Sequence, residues 1–176
     1  MSIMLLVNGL LYVLVYMKFG ITINSIMYCL LISLLLIVSI VDFKYMIIPD
    51  SLIIIGLFLG VICTLINKEF YDSIFGALIG FGLFFMIEIL TNSMGGGDIK
   101  LVAVLGFIFG IKGVLFISLF SFVIGAFISV VLIILKIKSI KDEIPFGPFI
   151  SLATLLYLFL GDEIIYKYMV LLKNIK

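Results

Sequence analysis

Charged and turn-forming residues cut this chain into seven apolar segments and fall almost entirely between them. The segments lie near residues 2–17, 21–42, 51–67, 74–90, 98–111, 113–135 and 147–160, and a mixed tail follows at 161–176. Spanning a bilayer takes about 20 apolar residues, so the pattern predicts an all-α membrane bundle of about seven transmembrane helices, within a range of six to eight. The first segment is short, but no Lys precedes it and no A-x-A-like site follows, so it reads as a retained span. No spacer is long enough to be a linker. Residues 1–176 are therefore expected to form a single integral-membrane domain.

Composition removes the alternatives. Of the residues, 65% are hydrophobic and 12% charged, against roughly 45–50% and about 25% in soluble domains. A soluble globular or disordered chain is excluded, and the lipid bilayer is the expected surrounding. The formal net charge of +1 gives no ground for a nucleic-acid partner. There is no His, Arg or Trp, and there are 2 Cys. A Ser–His or Cys–His triad cannot be built, nor an HExxH or four-ligand Cys/His zinc site. No metal and no cofactor is expected, and any catalysis must draw on Asp, Glu, Lys, Ser or Tyr.

The glycine pairs Gly56/Gly60, Gly76/Gly80 and Gly106/Gly110 have the small-xxx-small spacing that lets helix backbones approach closely in lipid. Lysines suggest the orientation. The connections after the second, fourth and sixth spans hold Lys44, Lys100, Lys136, Lys138 and Lys141, and those on the other side hold Lys18, Lys68 and Lys112. Positive charge accumulates on the cytoplasmic side, which puts the first set there. Lys167, Lys173 and Lys176 in the tail weaken the bias.

Acids in or at the ends of membrane helices cost roughly 2.5–3.5 kcal/mol each at the bilayer centre, and are functional candidates. Asp42, Glu88 and Asp98 qualify. Two complete spans separate Asp42 from Asp98, so both emerge on one face. The span from Asp98 to Ile111 covers only about 21 Å, which submerges Asp98. Asp98 opens its helix, where the dipole favours a carboxylate, whereas Asp42 at a helix C-terminus meets the opposite field. Two carboxyls in unlike fields can act as an aspartic-protease pair, one as base toward water and the other as acid toward the carbonyl oxygen. The competing reading makes Asp98 a helix N-cap and Asp42 an interfacial charge. Asp50 reads as the N-cap of the third span, Lys100 as a boundary charge, and Glu88 as an interfacial anchor or a contact for substrate.

Three stretches carry a resemblance. VDFKYMIIPD (41–50) resembles the first aspartate motif of the type IV prepilin peptidases, GGGDIKLVAVLGFIFG (95–110) resembles their GxGD motif, and IPFGPFI (144–150) resembles a later Pro-Phe-Gly-Pro segment. The resemblance implies an aspartic endopeptidase that removes the basic leader of prepilins or pseudopilins at the cytoplasmic face, after a Gly and before a hydrophobic residue. It assigns Asp42 and Asp98 as the catalytic pair and Gly95 and Gly97 as the GxGD glycines. Pro49, Asp50, Lys100, Pro145, Gly147 and Pro148 are the remaining motif residues. The longer members' CxxC-bearing cytoplasmic insertion is absent, so the chain resembles the short peptidase-only members and is not expected to methylate.

Other readings exist. Presenilin-type proteases share GxGD, but their first aspartate follows Tyr where Asp42 follows Val41, and their Pro-Ala-Leu motif is missing. Lipoprotein signal peptidases lack GxGD. A small ion or proton transporter would spread its acids through the bilayer depth, whereas Asp42, Glu88 and Asp98 gather near one face. The peptidase reading predicts both aspartates at similar depth, at a cavity lined by the second, third and fifth spans. It also predicts that the Gly95–Gly97 segment is irregular rather than helical, and poorly ordered when no ligand is bound.

Overall fold

The computed structural model describes residues 2–92, 94–139 and 142–174, and every regular element among them is helical. The helices are α1 (Ser2–Phe19), α2 (Ile23–Tyr45), α3 (Asp50–Asn67), α4 (Phe70–Thr91), α5 (Gly96–Ile134) and α6 (Gly147–Asn174). Lys141 and Lys176, which entered the orientation argument, lie outside the described residues. Helices α2 to α5 and residues Gly147–Leu171 of α6 are long and apolar enough to cross a membrane, while the apolar stretch Met4–Phe19 of α1 is shorter. The protein is an integral membrane protein.

Six helices replace the seven predicted segments because 98–111 and 113–135 are two arms of α5. The chain turns at Gly110, where φ is 67° and ψ is −168°, a region essentially reserved for glycine. Lys112, the expected boundary, lies inside the second arm. The arms fold back on each other: Val102 O and Val114 Cγ2 lie 2.9 and 2.8 Å from where a Cβ on Gly80 would sit. In a straight helix these two residues would be about 18 Å apart. The turn leaves backbone donors without helical partners, and Asp72 Oδ1 accepts one of them, the Ile111 N–H, at 3.3 Å. Asp72 can do this because α4 begins at Phe70, ahead of the predicted start at 74.

The tail is a second departure. Helix α6 continues through Gly161 to Asn174, and the Tyr157 ring packs over the space beside Gly161. A single glycine costs a helix only about 1 kcal/mol, and Glu163 and Lys167 beyond it have the favourable i,i+4 order.

Helix α5 is the centre of the bundle, packing against α3, α4 and α6, while α2 packs against α1, α3 and α6. The core joins Leu35 and Val38 of α2, Phe84 of α4, Leu105 and Ile117 of α5 and Ile150 of α6. The spaced glycines sit at the closest crossings. Gly76 meets the backbone of Gly106 and Gly110, and Gly106 meets that of Gly76, so closely that neither has room for a side chain. Lys18 ties the end of α1 to α6 by donating to the Leu158 and Phe159 carbonyls at 3.1 and 2.7 Å.

Candidate active site

One end of the bundle collects the C-termini of α2 and α4 and the N-termini of α3, α5 and α6. Asp42 lies in the last turn of α2, and the helix ends just beyond it. Met46 turns left-handed (φ 53°) and its N–H donates to the Asp42 carbonyl at 2.7 Å. The chain then runs extended to Pro49, the N-cap of α3, which makes no side-chain capping bond. Asp50 is therefore not the N-cap that the sequence suggested. Proline's fixed φ suits the extended capping residue, and Asp50 becomes the first helical residue, where the dipole favours an acid.

Asp98 is the third residue of α5, after N-cap Gly95. The expectation of an irregular Gly95–Gly97 segment is corrected. Only Gly95 is extended (φ −71°, ψ 139°), whereas Gly96 and Gly97 form the first turn of α5. The Gly95 carbonyl accepts the Asp98 N–H at 3.0 Å and the Ile99 N–H at 3.4 Å. The Asp98 side chain reaches back over the same residue, its Oδ2 3.2 Å from the position of a Gly95 Cβ. Reaching back from the third helical residue to the cap is the geometry of half a capping box. Gly97 is where the two aspartate motifs meet. A Cβ there would lie 2.8 Å from the Cβ of Ile48, in the connection after Asp42.

Both aspartates are buried, Asp42 at 5% and Asp98 at 8% exposure, at the same end of the bundle. Asp42 Oδ2 accepts the backbone N–H of Gly147 at 2.8 Å. Asp98 Oδ1 is buried without a hydrogen-bond partner among the described residues. Burial without full pairing is expensive, so this pair is not explained by packing. One carboxyl is held by a single backbone donor and the other has an oxygen without a partner among the described residues, so both keep oxygens available for proton exchange.

The Pro-Phe-Gly-Pro segment supplies the Gly147 donor. Pro148 takes the first turn of α6, where its missing N–H costs nothing. Phe146 anchors the segment, its ring 6.1 Å from that of Phe84, 5.1 Å from Phe122 and 5.8 Å from Phe149. A Cβ on Gly147 would come within 2.8 Å of Asp42 Oδ2. Pro145 is half-buried just ahead of it. Phe84, Phe122 and Phe146 were not singled out in the sequence, because three aromatics far apart in an apolar chain carry no spacing signal.

Lys100 Nζ donates to Asp50 Oδ1 at 2.6 Å, an exposed ion pair tying the start of α5 to the start of α3. Glu88, half-buried near the end of α4, accepts the Met94 N–H at 2.6 Å through Oε2. A groove of about 630 Å³ between α2 and α6 is lined by Ser39, Ile40, Phe43, Lys44 and Pro148, and neither aspartate is among its lining residues. Among the described residues no group of three or more His, Cys, Asp or Glu could hold a metal ion.

Comparison with known proteins identifies relatives of this chain. The profile of the type IV leader peptidase family matches residues 29–130. A prepilin leader peptidase/N-methyltransferase of Bacillus subtilis is 33% identical over 166 residues, covering 93% of this chain and 67% of that protein. Proteins of the same name from Pseudomonas putida and Pseudomonas aeruginosa are 30% and 32% identical, over 89% and 77% of this chain and 57% and 49% of their own lengths. The chain thus spans about half to two thirds of the length of these relatives. No solved structure matches it significantly. The matched segment contains both buried aspartates and the glycines that join their motifs, and the chain belongs to the type IV leader peptidase family.

Proposed function

We propose that this protein is a membrane aspartic endopeptidase that removes the leader peptide of type IV prepilins or pseudopilins. The observation that carries the proposal is the burial of Asp42 and Asp98 together at one end of the bundle. In this mechanism one carboxyl takes a proton from water as it attacks the scissile carbonyl, and the other gives a proton to the developing oxyanion. Gly147 N–H orients Asp42 through Oδ2, leaving its other oxygen for the reaction. Asp98 Oδ1 meets water or substrate. Pro49, Asp50, Lys100, Gly95, Gly97, Pro145 and Pro148 shape the segments that carry these groups.

The two arms of α5 each cross the bilayer, giving seven crossings with the aspartates at the cytoplasmic end. Lys44, Lys100, Lys136 and Lys138 on that side support this orientation. The peptidase acts without N-methylation. The connection between α1 and α2 is three residues long, and the sequence contains no CxxC.

Co-expression with each prepilin of the host, scored by leader removal, tests the proposal. Mass spectrometry of the product reads methylation in the same experiment. Wild-type protein that cleaves none of them, while correctly inserted, would defeat the peptidase reading. A methylated N-terminus in a host expressing only this enzyme would defeat the second part.

A further inference from the structure

Helix α4 ends in a left-handed residue, Asn92 (φ 48°), whose N–H donates to the Glu88 carbonyl at 2.7 Å. The Glu88 side chain turns the same way and takes the Met94 N–H at 2.6 Å. One residue therefore holds the departing chain twice, by its backbone and by its carboxyl. An acid in the last turn of a helix faces an unfavourable dipole, so helix stability gives no reason for a glutamate here. The hydrogen bond to Met94 gives one.

The residues just beyond Met94 lead directly to Asp98. Gly95 is the N-cap of α5 and lies under the Asp98 carboxyl. Three consecutive glycines have no side chains to pack and lose more conformational freedom on ordering than any other residues. The connection is held from outside instead. Met94 is partly buried against the core, Ile48 packs on Gly97, and Glu88 fixes the amide immediately before Gly95. We propose that Glu88 is a positioning residue for Asp98: its carboxyl anchors the glycine segment through Met94 N–H and so sets where Asp98 stands relative to Asp42. Substrate contact is not its role. The inference rests on the peptidase reading for its kinetic consequence, but not for its structural one.

The test compares Glu88→Ala with Glu88→Gln in the full-length protein in detergent. Gln keeps an oxygen that accepts the Met94 N–H but carries no charge. Hydrogen–deuterium exchange over residues 89–98 should quicken in the Ala variant and stay near wild type in the Gln variant, with α2 and α6 unchanged in both. For leader cleavage, Ala should lower kcat on the order of 10- to 100-fold, as loss of fixed geometry does, with KM little changed. Gln should restore most of it. Unchanged exchange in the Ala variant would overturn the inference. So would a raised KM with normal kcat in both variants, which marks a lost charge contact with substrate. If wild-type protein cleaves nothing, the peptidase reading fails, and exchange at residues 89–98 still decides whether Glu88 holds the segment.

Discussion

Asp42 and Asp98 are held by different means, and each predicts its own sensitivity. Asp42 depends on a neighbour from another helix, the Gly147 N–H; Asp98 depends on the glycine cap of its own helix. Asp→Asn at either position keeps size but cannot exchange the proton. Each should abolish leader cleavage while expression and membrane insertion, followed by immunoblot, stay normal. Gly147→Ala should impair activity although both acids remain in the chain, because its methyl would press on the Asp42 carboxyl, 2.8 Å from Oδ2. The expected outcome is a loss of tenfold or more in kcat, on the order of what misplacing a reacting group costs, with retained folding. Asp50 and Lys100 stand apart. Their ion pair is exposed on both sides, and such pairs contribute about 0–1 kcal/mol. Asp50→Ala should leave measurable cleavage and a nearly unchanged melting temperature in detergent.

At the level of the elements, the turn at Gly110 decides where Asp98 stands. The first arm of α5 is short, and its far end is set by the close approach of Gly76 to Gly106 and Gly110 and by the Asp72 carboxyl over the turn. Gly110→Ala would require a side chain at φ 67° in space occupied by Asp72. Strained backbone of this kind costs about 1–3 kcal/mol before any steric conflict. The variant should unfold at a clearly lower temperature in micelles, and Gly76→Ala should do the same, since its methyl would meet backbone that cannot move aside. Gly82→Ala is the control: a Cβ there meets nothing within 4 Å, and the variant should be neutral or slightly more stable.

For the whole molecule, the orientation is the feature with a direct measurement. With Cys29 and Cys63 replaced, a single cysteine at Lys44 or Ser139 should react with a membrane-impermeant thiol reagent only when the cytoplasmic face is accessible, and one at Lys68 or Lys112 only from the opposite side. The reverse pattern would put the aspartates outside and defeat the proposed topology. The lengths of the helices make this a clean experiment, because helices α2 to α5 and Gly147–Leu171 of α6 are long enough to separate the two ends.

Much of this was legible in the chain itself. In lipid every backbone polar group must be satisfied within a helix or a closed barrel, so long apolar segments dictate a helical bundle before any contact is known. The spacing likewise placed Asp42 and Asp98 two spans apart and so on one face, and the structure buries both at one end of the bundle. Local pattern could not reveal how α5 turns. Gly110 and Lys112 are equally plausible breaks in sequence, and the choice falls to Gly110 because Gly76 and Asp72 of another helix meet it there. Nor could pattern show that Asp50 pairs with Lys100, that Glu88 holds Met94, or that Gly147 reaches Asp42 across 105 positions. Apolar periodicity records which residues leave water, and in a membrane chain nearly all of them do. The partners of the few polar groups are set by helix packing, and that information exists only in the folded bundle.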